Sequence, residues 1–497
     1  MFVRTKTVKS RDKEYRYLQV VRSEREDGKV RQRVVRSLGR LGKDVDRKEA
    51  RQIAYALLRY LDDPRAEEVR PLEPEDLAHK EGRTYGNVAA VEDAWKSLGL
   101  DRILEDLSAD RRFEFSLERA VFAMVANRLC EPSSKLACAE WLARDVYLPC
   151  GAIDADQLYE ALSWLHSAKT PIEARLYRRL KKTGRLDSTA IFYDTTTTWF
   201  EGRGPEELAA FGRPKGGQPR GRRLILVALA RSREGWPITH TVWPGDTNDI
   251  PTVKPMLRRL KEEFGIDSAI WVSDRGTISK GVIDALERHG FEYVIATKLR
   301  GDAEVRDRVI SRAGRYQKVA SNLQVKEVWV EDRRYILCRN PEGKARDAAR
   351  RRDILGRVQE KLAEGDKATT KKGQRLLHHR TFGRYLKTRN DRLVVDLEQV
   401  RQDARFDGKW VLRTNLTNWE ADEVALLYKE ESGIEKDFRD IKTFYELRPV
   451  HHRKEERVEA HVFVCVLAKA CEVELRRRME AADFRGTSVD AVLKELG

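Results

Sequence analysis

Apolar and polar positions change rhythm several times along the 497-residue chain. From Tyr15 to Arg36 they alternate with a period of two, with Tyr17, Gln19 and Val21 on one face and Asp27-Gly28 in the middle. This predicts a β-hairpin turning at Asp27-Gly28, with Arg31, Arg33 and Arg36 on its second strand. From Asp46 to about Lys182 apolar residues recur at three and four, as in Ser116 to Cys130 and Ala155 to His166, which predicts helices in two or three layers.

At Ser188 the period returns to that of strands. Ile191-Phe192-Tyr193 ends in Asp194, and Leu224 to Ala230 and Pro237 to Trp243 are two strands joined at Glu234-Gly235. A helix with Asn248-Asp249 at its start and Pro251 in its first turn runs to Phe264, stopped by Gly265. Ala269 to Ser273 ends in Asp274, Lys280 to His289 is helical, and Tyr293 to Thr297 is a fifth strand. The order β-β-β-α-β-α-β is that of an RNase H-like core, an antiparallel meander extended by parallel strands with helical crossovers. Beyond residue 300 come β-like pieces at 324–329, 335–338 and 393–396 around a basic helical stretch from Arg350 to Leu362. Helical periodicity then resumes from Ala421 through Lys442 and from Glu455 to about Met479. The expectation is an α/β protein in five parts: a basic hairpin arm at 1–45, a helical DNA-binding scaffold at 46–185, a core at 186–300, a mainly β insertion at 301–420, and the rest of the core with a catalytic helix at 421–497.

Charge sharpens this picture. Residues 1–44 hold 14 Lys/Arg against 6 Asp/Glu and residues 344–380 hold 12 against 5, so two short segments carry +15 of the net +16. Concentrated cations gain affinity for nucleic acid by releasing phosphate counterions, which points Arg31, Arg33, Arg36, Arg350 and Arg351 at DNA. No apolar run reaches the roughly 18 residues of a membrane span and the first residues lack a signal-peptide stretch, so a cytoplasmic, nucleoid-associated protein is expected. The six cysteines form no C-x-x-C pair and read as free, mostly buried thiols. The adjacent pairs His378-His379 and His451-His452 point their rings apart, which suits DNA or solvent better than a metal.

Three carboxylates could do chemistry. Asp194 and Asp274 each end an apolar strand; if those strands are neighbours, the two acids converge and can share a hard cation such as Mg²⁺. An Asp beside Thr or Gly also commonly caps a turn, as is expected of Asp249 at the start of its helix. At 100° per residue Tyr428, Glu431 and Lys442 fall within roughly 40° of Glu435, on one helical face bordered by Arg439.

The spacing Tyr428, Glu431, Glu435, Lys442 resembles the Tyr-Arg-Glu-Lys signature of the IS-four-like DDE transposases of bacterial insertion sequences, with Glu431 where that signature has Arg. Tyr193-Asp194-Thr195-Thr196-Thr197, Val272-Ser273-Asp274-Arg275-Gly276 and the turn Pro244 to Asp249 resemble that family's segments in the same order. The resemblance implies an Asp194, Asp274, Glu435 triad binding two Mg²⁺ ions, for which Mn²⁺ substitutes. It also implies phosphate contacts by Tyr428 and Lys442, terminal-repeat and target DNA as partners, cut-and-paste strand cleavage and transfer, and a homodimer holding two ends. A nuclease or resolvase of the same fold that does not join strands, or an inactive DNA-binding regulator, is the alternative.

Overall fold

The computed structural model describes residues 1–10, 13–26, 29–43, 45–66, 82–149, 151–365, 367–484 and 486–497. The expected turn at Asp27-Gly28 and Cys150 lie outside them; Cys130, Cys338, Cys465 and Cys471 are free thiols, the last three of them buried, and Cys138 is buried as well. The chain forms two compact units, Met1–Gly82 and Arg83–Gly497, so the division does not fall at the expected 45/46.

The first unit is a three-stranded antiparallel sheet of β1 (Phe2–Ser10), β2 (Lys13–Glu26) and β3 (Lys29–Arg40), followed by α1 (Arg47–Tyr60). The hairpin is present, with β1 as an additional strand. Asp46 opens α1 through a reciprocal bond with Glu49, a capping box that satisfies two of the helix's free N–H groups. Val20 pairs with Arg36 but Val21 with Val34, so Val35 is bulged out of the ladder. The bulge reverses the side-chain alternation. Arg31, Arg33 and Arg36 therefore share one face although 33 and 36 are an odd number apart, and all three are exposed.

The second unit opens with α2 (Gly86–Leu98), α3 (Leu100–Ser108), α4 (Leu117–Cys130), α5 (Lys135–Arg144), α6 (Ala155–Ser167) and α7 (Lys169–Lys182). The sheet elements are β4 (Ala190–Trp199), β5 (Ala210–Phe211), β6 (Arg223–Ser232), β7 (Pro237–Pro244), α8 (Asp249–Glu262), β8 (Ile270–Ser273), α9 (Lys280–Arg288) and β9 (Glu292–Ala296). β4 pairs antiparallel with β6 and β6 with β7, while β8 and β9 extend the sheet in parallel on the other side of β4, the strand order expected from the sequence.

The stretch after β9 differs from the expectation of a mainly β insertion. Its elements are β10 (Gln317–Ala320), β11 (Leu323–Val330), β12 (Arg333–Arg339), α10 (Pro341–Ala363), α11 (Lys371–Leu377), β13 (Leu386–Arg389), β14 (Arg392–Val395), α12 (Leu397–Ala404) and β15 (Lys409–Thr414). β15 pairs antiparallel with β9, and β12, β11 and β10 follow it outward, so these strands continue the main sheet to ten in all. A bare parallel edge at β9 would expose unpaired N–H and C=O groups; β15 pairs with it. The 23-residue α10 packs on a separate small cluster of Val358, Ala368, Leu376, Leu386 and Leu393.

The chain ends with α13 (Ala421–Lys429), α14 (Ser432–Thr443), α15 (Glu455–Ala481) and α16 (Val489–Leu496). α15 is buried on all sides from Val458 to Ala470, apart from Glu459, against α2, α4, α6 and β7. One continuous core runs from Val88 through the sheet to Leu493, so the expected boundary at 185/186 does not divide it.

Glu173 of α7 ties the helical layer to the sheet. Fully buried, it accepts from Lys169 Nζ at 2.9 Å, Thr239 Oγ1 at 2.8 Å, His240 Nδ1 at 2.8 Å and Arg259 Nη2 at 3.0 Å, joining α7, β7 and α8. Burial pushes the His240 imidazole down from 6.5 to about 4, and its neutral ring donates to the carboxylate. Burial opposes the Glu173 charge, but Lys169 and His240 overcome it and hold its carboxyl at about 2 rather than 4.5. Both folded values are depressed, so acid favours the unfolded chain: stability should fall first between pH 6.5 and 4 as unfolded His240 takes a proton, then from pH 4.5 towards 2 as Glu173 does. Glu173→Gln should cost about 3–5 kcal/mol by leaving Lys169 and Arg259 without their shared counter-charge. Urea denaturation at neutral pH checks this, and an unchanged midpoint would remove Glu173 from this role.

Candidate active site

The placement of the first two acids follows from a short parallel ladder. Ala190, Ile191, Phe192 and Tyr193 of β4 pair with Ile270, Trp271, Val272 and Ser273 of β8. The next residue in each strand is an Asp. Parallel partners point to the same face, and neighbouring strands lie about 4.8 Å apart, so Asp194 and Asp274 stand side by side. Asp194 was expected at a strand end, but β4 continues through Thr195–Trp199 because its other partner, β6, is ten residues long. Only the pairing with β8 stops there, and that opens the sheet beside Asp194.

The acids face a cavity of about 790 Å³ also lined by Glu435, Arg439 and Lys442. Glu435 reaches it from α14, which packs against β4. Lys442 Nζ donates to Thr196 Oγ1 at 2.8 Å and binds the helix to the strand. Burial, aided by Arg448, pushes the Lys442 ammonium down to about 8.

The single helix expected from Ala421 to Lys442 is two. At the junction the N–H groups of Glu430, Glu431, Gly433 and Ile434 each bond three residues back, which tightens the backbone and turns its axis. Gly433 sits against the guanidinium of Arg231, which is buried and paired with Asp437 at 2.8 Å; a Cβ at 433 would overlap it. Tyr428 thus lies in the last turn of α13 and Glu431 just before α14, off the helical stripe expected of them. Both still face the acids. Glu431 is 8% exposed, and burial together with Asp194, Glu435 and Asp274 pushes it up to about 8. Burial, with Asp274 and Glu431 nearby, raises the Tyr428 phenol far above its usual range.

Lys215 had escaped notice, and Asp249 had been expected only to cap its helix. Lys215 Nζ donates to Thr195 Oγ1 at 2.6 Å and Asp249 Oδ1 at 2.5 Å, and both Lys215 and Asp249 line the cavity. Asp249 does not cap α8, since Asn248 already occupies that position, and Asp249 also accepts from Thr195. Lys215 lies in the loop Arg213-Pro214-Lys215-Gly216-Gly217, which has no periodicity to mark it. Asp187, before β4, accepts from Thr189 N and Oγ1 at the far end of the strand, and Asp440 is bound to Lys469, so neither competes for the site.

Among the basic candidates, Arg350 of α10 is exposed and shares a second cavity with Arg275, whereas Arg351 is held in a two-point pair by Asp407 at 2.5 and 2.7 Å. Arg351 braces α10 to the turn before β15. Arg31 and Arg33 of the arm lie 3.5 and 4.0 Å from Glu26 and Glu24 and remain exposed.

The donor set around Asp194 fits a divalent cation. Burial pushes the Asp194 carboxyl up to about 7, with Asp274 and Asp249 adding to the rise against the Thr195 N–H and Lys215. Carboxylates that repel one another in this way are oxygen ligands of the kind a hard ion gathers. Among the described residues no three His, Cys, Asp or Glu side chains already converge closely enough to hold one ion.

A family model described as the transposase DDE domain matches residues 185–469, more than half of the chain and the whole of this site. The chain belongs to this family. The protein is a DNA transposase, an enzyme that cleaves DNA and transfers the cut strands, and transposases of this family use divalent metals. A second model, the N-terminal domain of the IS1634 family of transposases, matches residues 3–68, the described part of which is the arm and α1. It names the IS1634 family where the sequence pattern resembled the IS-four-like group. No curated protein matches. Solved structures similar to the transposase include a piggyBac transposase synaptic complex with hairpin DNA, 10% identical over 82% of this chain and 76% of that one, at a TM-score of 0.39. The Mos1 strand transfer complex is 15% identical over 50% of this chain and 77% of that one, at 0.16. Among the described residues no helix of the transposase is long and apolar enough to cross a membrane.

The junction before α14 can be tested directly. Gly433→Ala should displace Arg231 from Asp437 and cost about 1–3 kcal/mol by overpacking, with a parallel loss of cleavage as Glu435 shifts. A melting temperature equal to wild type would show that Arg231 does not hold the start of this helix.

Proposed function

We propose that Asp194, Asp274 and Glu435 are the catalytic acids of this transposase, on an RNase H-like core, and that they hold two Mg²⁺ ions, for which Mn²⁺ substitutes. The observation that carries the reading is the Tyr193 to Ser273 pairing, which leaves one Asp on each strand at the same level, with Glu435 facing the same cavity. Ions held there supply activation of an attacking water or 3′-hydroxyl and charge relief at the leaving oxygen.

The side chains around the acids position the DNA. Lys442, anchored on Thr196, presents a compact ammonium to a phosphate beside the scissile bond, and Arg439 follows along the same helix. Tyr428 keeps its proton and donates from the opposite side. Lys215 holds Asp249 and the Thr195 hydroxyl still while the strand enters. Glu431, in the signature's Arg position, belongs to the acidic wall and not to a DNA contact. The arm, through Arg31, Arg33 and Arg36, and α10, through Arg350, grip terminal-repeat DNA and target DNA by their phosphates. Excision is cut-and-paste in the nucleoid, and a homodimer holds the two ends in the manner of the IS-four-like enzymes.

Asp194→Ala, Asp274→Ala and Glu435→Ala should each abolish cleavage of end DNA in Mg²⁺ while leaving binding nearly unchanged, because each removes a ligand and touches no phosphate. Strand-resolved gels and a mobility shift on the same preparations check both halves; residual cleavage near wild type strikes that acid from the site. Replacing Arg31, Arg33 and Arg36 together by Gln should weaken binding and flatten its salt dependence by about 0.9 for each phosphate no longer neutralised. An unchanged slope would mean that this face of the arm meets no DNA.

A further inference from the structure

A separate cavity, of about 180 Å³, lies beneath the segment that follows the Glu435 helix and holds neither Arg350 nor Arg275. Its wall includes Arg128 in the last turn of α4, Lys135 at the start of α5, Tyr159 of α6, Glu446, Arg448 and His452 of the following segment, and His461 of α15. Nothing in the proposed chemistry uses it. His452 was expected to face DNA or solvent; instead its ring turns inward, against Tyr159 at 6.1 Å and His461 at 5.1 Å.

The lining is cationic and unbalanced. Arg128 and Lys135 are each 3% exposed and His461 6%. Arg128 donates only to neutral oxygens, the carbonyls of Ser133, Tyr445 and Glu446 and the Asn127 amide, and its Nε has no partner. Lys135 is in no ion pair among the described residues, and His461 Nδ1 is unpartnered. The lining's one carboxylate, Glu446, is exposed. Burial pushes the Lys135 ammonium down to about 7, with Arg128 adding to the fall against the Cys138 and Cys465 thiols. Burial likewise pushes His452 down to about 3, with Lys135, Arg457 and Arg128 adding to it. Burying cations with no counter-charge is costly. A group that repays that cost must be anionic and compact, since the cavity is smaller than the roughly 300–1,000 Å³ of sites that hold drug-sized molecules.

We infer that this cavity binds one phosphate group, held by Lys135, Arg128 and the imidazole of His452. Arg448 lines both this cavity and that of the acids, so a strand lying across Asp194 can place a neighbouring phosphate here.

Calorimetry on the full-length protein with sodium phosphate, against sodium chloride at matched ionic strength, tests it, with Lys135→Met as the variant. Wild type should bind one phosphate per chain, and the variant should bind about tenfold more weakly or not at all, as expected when one charged hydrogen bond is removed. In chloride the variant should melt at or above wild type, because it removes an unpaired buried cation; a structural lysine would give a lower value. A short blunt duplex without terminal phosphates separates the sources. A salt slope lowered by about 0.9 in the variant assigns the site to a strand phosphate, and an unchanged slope beside abolished phosphate binding assigns it to the free ion. Should Lys135→Met not fold, His452→Gln takes its place in both measurements. Wild type that binds no phosphate, together with an unchanged slope, overturns the inference.

Discussion

Four residue pairs between β4 and β8 fix the site. Because the two strands run in parallel with Tyr193 opposite Ser273, any shift of one residue would turn Asp194 or Asp274 to the opposite face of the sheet. The register is in turn held by what the pairs bury. Ile191, Phe192, Trp271 and Val272 lie wholly inside, between the helical layer and the crossover helices. Asp194 is therefore placed by the apolar residues before it, and the acids need no contact with each other to be aligned. Glu435 is positioned independently, through α14, the Lys442–Thr196 bond and the packing of Gly433 on Arg231.

The electrostatic setting follows from this geometry. Sheet and helix bring Asp194, Asp274, Glu431 and Glu435 to one wall, where burial and mutual repulsion raise Asp194 and Glu431. The same cavity is also lined by cations, Lys215, Arg213, Arg275, Arg439, Lys442 and Arg448. Buried acids suit a cation and the cations among them suit a phosphate, so the cavity suits metal-assisted chemistry on a polyanion.

Much of this was legible in the sequence because it depends on local rules. The meander and α8 were marked by alternation, by Gly235 at a turn, by Pro251 in a first turn and by Gly265 in the left-handed conformation after the helix. Asp194 and Asp274 were marked by the apolar runs that precede them. What escaped depends on tertiary contact. β1 has the alternation of a strand, but Arg4, Lys6 and Lys9 hide it. The break before α14 falls at Glu430-Glu431-Ser432, where nothing forbids a helix, and the contact beside it is between Gly433 and Arg231, two hundred residues away in sequence. The strands after residue 300 were seen as strands, yet their joining the main sheet follows from the open edge of β9, which no local pattern reports. Lys215 has only its three-dimensional neighbours to mark it.

The burial of α15 bears on how the protein is made. The helix that fills the centre of the second unit is Glu455–Ala481, and the helices it packs against, α2, α4 and α6, precede it by some three hundred residues. A ribosome releases those helices well before their partner exists, so their apolar faces wait, uncovered, while the whole sheet is synthesised. The layer that supports both cavities closes only when nearly all of the chain has emerged. Nascent chains cut short before residue 455 then carry the arm and its cations without a finished active site, and offer chaperones and proteases a broad apolar surface to recognise.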